Sequence, residues 1–208
     1  MQNKVIKVRG SASVFQEPDW VEIRFTLIGK AWDYSEAMEE LSERTESLRR
    51  DMEEANIDRE QLKTGSFSVS PHFDWENKRR IFQGYTAEHT VNLEFTMDKE
   101  LLNRVLDKLG HSQSKAKFEI RFTVKDPEPM KQEALSKAVK NAQEKARVIA
   151  EAAGVHLGDL LQGDYSWEEI HLFSPTSVEI REEASMAADL SPKDVEHGDS
   201  VTLVWEIK

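Results

Sequence analysis

The six histidines of this 208-residue chain are its most obvious candidates for metal ligation or proton transfer. His72 and His89 fall on one long hairpin predicted over residues 67–95, with its turn near Asn77-Lys78. That register sets them about five residues apart along the ladder, roughly 17 Å at the rise of a strand, and on opposite faces. They cannot share a metal. His111, His156, His171 and His197 stand near predicted element ends or in loops, without the two-histidine helical spacing or the acidic partner that a zinc site needs. All six read as surface or capping histidines, and no metal is expected.

Nucleophilic and phosphate chemistry are equally hard to place. The chain has no cysteine, which excludes disulfides, thiolate ligands and cysteine nucleophiles. There is no Gly-x-Ser-x-Gly elbow, and Ser112-Gln113-Ser114-Lys115 reads as a polar loop rather than an activated serine. The nine glycines are dispersed, so neither a phosphate-binding loop nor a dinucleotide fingerprint is present and no cofactor is expected. Glu168-Glu169 and Glu182-Glu183 are adjacent acids, and neighbours on a strand point to opposite faces, so neither pair makes a catalytic dyad. The expectation is a protein that is not an enzyme. With 39 acidic and 28 basic residues the net charge is −11, which disfavours nucleic acid. The longest basic run, Lys78-Arg79-Arg80, reads as a solvated hairpin tip.

One cluster rises above this background. Phe73, Trp75, Phe82 and Tyr85 gather near the charged tip of the hairpin, a composition that suits an interface in which aromatics anchor and charges select. They form a candidate assembly interface, and the chain is expected to be a homo-oligomer or to bind a protein partner. The competing reading is a second small core within the monomer.

The elements that hold these residues are legible from period. Alternation of two marks strands through Ile6, Val8, Ala12 and Val14, through Val21, Ile23, Phe25 and Leu27, along both arms of 67–95, through Phe118, Ile120, Phe122 and Val124, and through Val201, Leu203, Trp205 and Ile207. The first two strands read as a hairpin turned at Pro18-Asp19. Helical spacing follows Asp33-Tyr34-Ser35-Glu36, which reads as a capping box, and the helix is expected to end at Asn56. Asp98 caps a shorter helix ended by Gly110. The longest helix is expected from about Glu128 to Ala153, stopped by Gly154. It carries an alanine ridge at Ala134, Ala138, Ala142, Ala146 and Ala150, which lets its axis sit close to a neighbour. A strand is expected within 160–170, and 174–198 reads largely as loop.

The fold class is therefore α+β, with antiparallel sheets of long alternating strands packed against amphipathic helices. The chain reads as a single unit with two subdomains: 1–32 with 112–208, and 33–111. A crevice between the sheet and the alanine-ridged helix is an alternative site, for a small ligand or peptide. No stretch approaches the length of a membrane span. Met1 to Arg9 leads directly into alternation without the apolar core of a signal peptide, so the chain as written reads as cytoplasmic, or as exported if a leader has been removed.

An ordered set of short motifs runs the length of the chain: Gly10-Ser11-Ala12, Pro18-Asp19, Ser35-Glu36-Ala37, Leu62-Lys63-Thr64 and Val69-Ser70-Pro71. It continues with Gly84-Tyr85-Thr86-Ala87, Ala142-Gln143-Glu144-Lys145-Ala146, and Ala153-Gly154-Val155-His156-Leu157-Gly158. In these the chain resembles the SIMPL-domain family, which includes YggE-like stress proteins and periplasmic immunogenic proteins of bacteria. The resemblance implies an α+β fold without known catalytic residues, ring-like oligomers in some members, and a loose link to oxidative-stress defence or signalling-complex assembly. Many members carry an export signal, and this sequence departs from them there.

Overall fold

Alternation becomes strand throughout the segments where it is strongest. The computed structural model describes residues 4–76, 79–165, 172–176 and 191–208. In chain order the elements are β1 (Val5–Gln16), β2 (Trp20–Ala31), α1 (Tyr34–Glu54), β3 (Lys63–Glu76), β4 (Arg79–Thr96), α2 (Lys99–Gly110), β5 (Lys117–Thr123), α3 (Glu128–Ala152), β6 (Leu157–Asp164) and β7 (Val195–Ile207), with a short 3-10 turn at Arg59–Gln61. Two antiparallel sheets result, and the α+β class stands. His171, Glu168-Glu169, Glu182-Glu183 and Asn77-Lys78, all singled out above, lie outside the described residues.

The chain divides into two compact units, Met1–Pro18, Thr123–Pro175 and Lys193–Lys208 in one, Asp19–Phe122 and Thr176–Pro192 in the other. In the first, β7 lies between β1 and β6. Ile6 faces Trp205 and Val14 faces His197 across the β1–β7 ladder. β7 begins at Val195, six residues before the expected final strand, because β1 offers an unbroken partner as far as Gln16. α3 covers this sheet with its ridge: all five alanines are at most 2% exposed. The match is close because β1 has no side chain at Gly10. A Cβ there would lie 2.1 Å from the Ala138 carbonyl oxygen and 2.5 Å from the Ala142 nitrogen. At Gly10 the space expected as a crevice between this sheet and α3 is thus taken by the helix backbone itself.

In the second unit the sheet order is β3-β4-β2-β5. One face buries Ile23, Phe25 and Leu27 of β2 with Leu93 of β4 and Ile120 and Phe122 of β5, against Leu41, Leu48 and Met52 of α1 and Leu102 and Leu106 of α2. Two local expectations hold: Asn56 is left-handed (φ 65) after α1, and the Asp98 carboxylate accepts from the amides of Glu100 and Leu101. The capping box at Asp33 does not form. Asp33 is the N-cap residue, but its side chain makes no capping bond, since an exposed first turn can leave its amides to water. A true capping box appears at Asp58 and Gln61, ahead of the 3-10 turn.

The β1–β2 hairpin is also overturned. β1 pairs with β7 and β2 pairs with β4, so Pro18-Asp19 carries the chain from one sheet to the other. For the same reason the subdomain boundaries 1–32 with 112–208 are displaced. β2 and β5 are bonded into the sheet of β3 and β4, where their apolar faces complete the α1/α2 core.

Candidate functional site: an aromatic overhang on the long hairpin

The β3–β4 hairpin outruns its sheet. β2 ends at Ala31, opposite Tyr85, whereas β3 and β4 continue paired to Glu76 and Arg79. The overhang begins at an irregularity: the register shifts between Pro71↔Tyr85 and Phe73↔Phe82. Gly84 sits at that step with φ +104, a conformation only glycine adopts cheaply, and a Cβ there would lie 2.2 Å from the Ala31 carbonyl oxygen. The bulge re-aims the strand just where β2 stops supporting it.

Beyond that step the rings collect. Phe82 is the hub, edge-on to Phe73 (centroids 5.6 Å apart), to Tyr85 (5.4 Å) and to Trp32 (5.3 Å). Tyr34 stacks edge-on against Tyr85 at 5.8 Å, and the Arg80 guanidinium lies 3.8 Å over the Phe73 ring. Such tilted contacts follow from the ring quadrupoles, and the cation adds to them. Three of the four residues expected at an interface are therefore brought together. The fourth, Trp75, makes no ring contact among the described residues and is 76% exposed.

Trp32 and Tyr34 were missed by sequence reasoning, which assigned their segment to helix capping. They are 61% and 54% exposed, yet they form the near wall of the cluster. The available signal was the spacing Trp32-Asp33-Tyr34 at the junction of a strand and a helix, where two large rings have no core to enter. Tyr85 packs on the main core, while Phe73 and Phe82 do not belong to it.

The histidines are not all superficial. His89 is only 8% exposed and His197 6%, which corrects the surface reading for both. The separation of His72 from His89 holds, since His89 pairs with Phe67, five residues from His72 along β3. Thr45 Oγ1 gives its proton to the Leu41 carbonyl at 2.8 Å, so towards His89 Nδ1, at 3.3 Å, it can only accept. Nδ1 thus carries the hydrogen, and Nε2 accepts from the Thr64 hydroxyl at 3.1 Å. His89 is a neutral bridge from β4 to α1 and β3. Burial, aided by the Arg49 charge, holds its pKa below 6.5. In acid the unfolded chain then takes up a proton that the folded chain refuses, so stability falls as pH drops below 6.5 and levels off at the folded-state pKa. Thermal unfolding between pH 7 and about 5.5 should show this slope in the wild type and a shallower one in His89→Gln.

Ser112 and Lys115 do have the spacing of a serine–lysine pair, but no such pair forms. The Ser112 hydroxyl donates to the Asp51 carboxylate and Ser114 is fully buried, while Lys115 bonds to neither serine. Among the described residues no group of three or more histidines and acids is placed to hold a metal ion. Likewise, none of their helices is long and apolar enough to cross a membrane.

Two antiparallel sheets, each backed by helices, with a long hairpin and a helix seated on an alanine ridge, define an α+β protein of the kind that the motif order suggested. The chain belongs to the SIMPL family, described as a protein of unknown function (DUF541), whose pattern matches residues 6–205. It is similar to the 26 kDa periplasmic immunogenic protein of Brucella melitensis, 27% identical over 164 residues that make up 76% of this chain and 64% of that protein. The match thus spans less than two thirds of the Brucella relative's own length. It is also similar to the uncharacterized protein YggE of Escherichia coli, 24% identical over 213 residues, covering 98% of this chain and 83% of that one. A solved hydrolase from Listeria innocua aligns over 96% of this chain and 92% of its own, at 10% identity and a TM-score of 0.24, which carries no inference about fold or activity.

Proposed function

We propose that this chain is a non-enzymatic SIMPL protein that self-assembles, and that copies meet at the aromatic overhang formed by Phe73, Trp75, Phe82 and Tyr85 with Trp32 and Tyr34. The observation that carries this is the exposure of Trp75 on the same overhang as Phe73 and Phe82, two rings that stand outside the main core. Burying an indole that is three-quarters exposed removes about 150 Å² from water, worth roughly 4 kcal/mol before the cost of association. Soluble proteins seldom leave such a contiguous apolar surface without a use.

Two features favour a second copy as the occupant. β3 is an edge strand whose outer backbone groups have no strand beside them among the described residues, a ready template for pairing. The overhang also carries both signs of charge, Asp74 on β3 and Arg79 and Arg80 on β4, so one patch can complement its own image about a two-fold axis. A role in stress defence or in building a signalling complex is consistent with such a scaffold, and the stress link rests on the family resemblance alone.

Amide hydrogen exchange locates the contact. Protection of residues 71–76 and 79–85 should rise with protein concentration while the α1/α2 core stays constant. Exchange independent of concentration over a hundredfold range, or new protection only elsewhere, overturns the assignment of the overhang.

A further inference from the structure

Away from the hairpin tip, the second unit has an open cleft of about 250 Å³ lined by Thr26, Ile28 and Lys30 of β2, Arg44 of α1, and Lys115 and Lys117 at the entry to β5. Four of these six lining residues are basic, in a chain whose net charge is −11. Lys30, Lys115 and Lys117 have no ion-pair partner among the described residues. Two carboxylates stand at this place: Glu88 lies across from Ile28 in the β2–β4 register, and Glu40 has both oxygens engaged, one accepting from Arg44 at 2.5 Å, the other from the Lys30 backbone amide at 2.6 Å. Arg44 also donates to the Ile28 carbonyl at 2.7 Å. The Glu40–Arg44 pair therefore serves the backbone of β2 and fixes the guanidinium at the cleft, while three lysines against the one remaining carboxylate, Glu88, leave it with an excess of positive charge among the described residues. Beside the cleft, Thr86 lies directly across from Lys30 in the β2–β4 register, and its buried hydroxyl has no hydrogen-bond partner among the described residues.

We propose that this cleft is a binding site for a phosphate-type oxyanion, either free phosphate or the phosphate of a small ester. A single carboxylate presents one planar edge and one charge, which suits a lone guanidinium. Cations arriving from two strands and a helix are better matched by a tetrahedral dianion with oxygens on every side. The volume, just below the usual range for ligand sites, suits a small anion or a short phosphate ester. The acids elsewhere on the chain do not forbid this, since at ordinary ionic strength charges more than about 10 Å away are largely screened. The site shares no residue with the overhang and stands whether or not the chain assembles.

Amide NMR of the full chain tests it, with inorganic phosphate titrated against sodium chloride at matched ionic strength. Saturable shifts confined to residues 26–30, 44 and 115–117 are expected with phosphate and not with chloride, and Lys115→Ser/Lys117→Ser should weaken binding by about tenfold or more. A parallel titration with glycerol 3-phosphate separates the two sources: tighter binding than phosphate assigns an ester, equal binding assigns the free ion. No saturable shift, or unchanged binding in the double variant, overturns the site, and succinate binding as tightly as phosphate overturns the choice of phosphate.

Discussion

Trp75→Ala combined with Phe73→Ala is expected to weaken self-association by roughly a thousandfold, from about 2 kcal/mol for each lost aromatic anchor. The effect follows from position. Trp75 spends three-quarters of its area in water in the isolated chain, and Phe73 is held to the overhang by Phe82 and Arg80. Neither supports the α1/α2 core, so circular dichroism and the thermal midpoint of the dissociated protein should change little. Sedimentation velocity at graded concentrations reads the shift. A double variant that associates as the wild type does would show that the rings are a small internal core, the competing reading of the same cluster.

The second large effect lies in the other unit. Gly10→Val should cost about 4 kcal/mol and lower the melting midpoint by roughly 10 °C, because the contact it breaks is backbone against backbone. Even a methyl group would meet the Ala138 carbonyl oxygen at 2.1 Å, and no side chain can swing aside to relieve it. The helix would have to retreat along its whole ridge, from Ala134 to Ala150, exposing apolar surface that is now dry. Gly110→Ala is the control: a Cβ there meets nothing within 4 Å, and alanine at the end of α2 should be neutral or stabilising by about 0.5 kcal/mol. Differential scanning calorimetry of the two variants should separate them in sign. Equal midpoints would refute the close-approach account of α3.

These two sites show what a sequence discloses and what it withholds. The alanine ridge was legible because i, i+4 spacing is local, but Gly10 as its counterpart was not, since nothing near Gly10 specifies which helix crosses it. Strand faces were legible for the same local reason: Ile6, Val8 and Val14 are buried as alternation requires. Strand partners were not. Pro18-Asp19 has the chemistry of a hairpin turn, yet β1 is claimed by a strand at the far end of the chain, and pairing over that distance is decided by which apolar faces complete which core.

The same distinction runs through the candidate sites. Phe73, Phe82 and Tyr85 were visible together because a hairpin brings its own arms into register, whereas Trp32 and Tyr34 join them only through the β2–β4 pairing. The basic residues follow suit. Lys78-Arg79-Arg80 stood out because it is contiguous, while Lys30, Arg44, Lys115 and Lys117 converge from three elements and leave no trace as a run. His89 was read as superficial because a lone histidine on a strand gives no sign of the two threonine hydroxyls, from α1 and β3, that satisfy it when buried.

The central claim is that this SIMPL chain associates with copies of itself, and the most direct measurement is its solution mass by light scattering at micromolar concentration. Assembly through the overhang predicts a mass that is a multiple of the 23.9 kDa monomer and that falls on dilution or on loss of Trp75 and Phe73. A mass that stays at one monomer across the whole concentration range would contradict it.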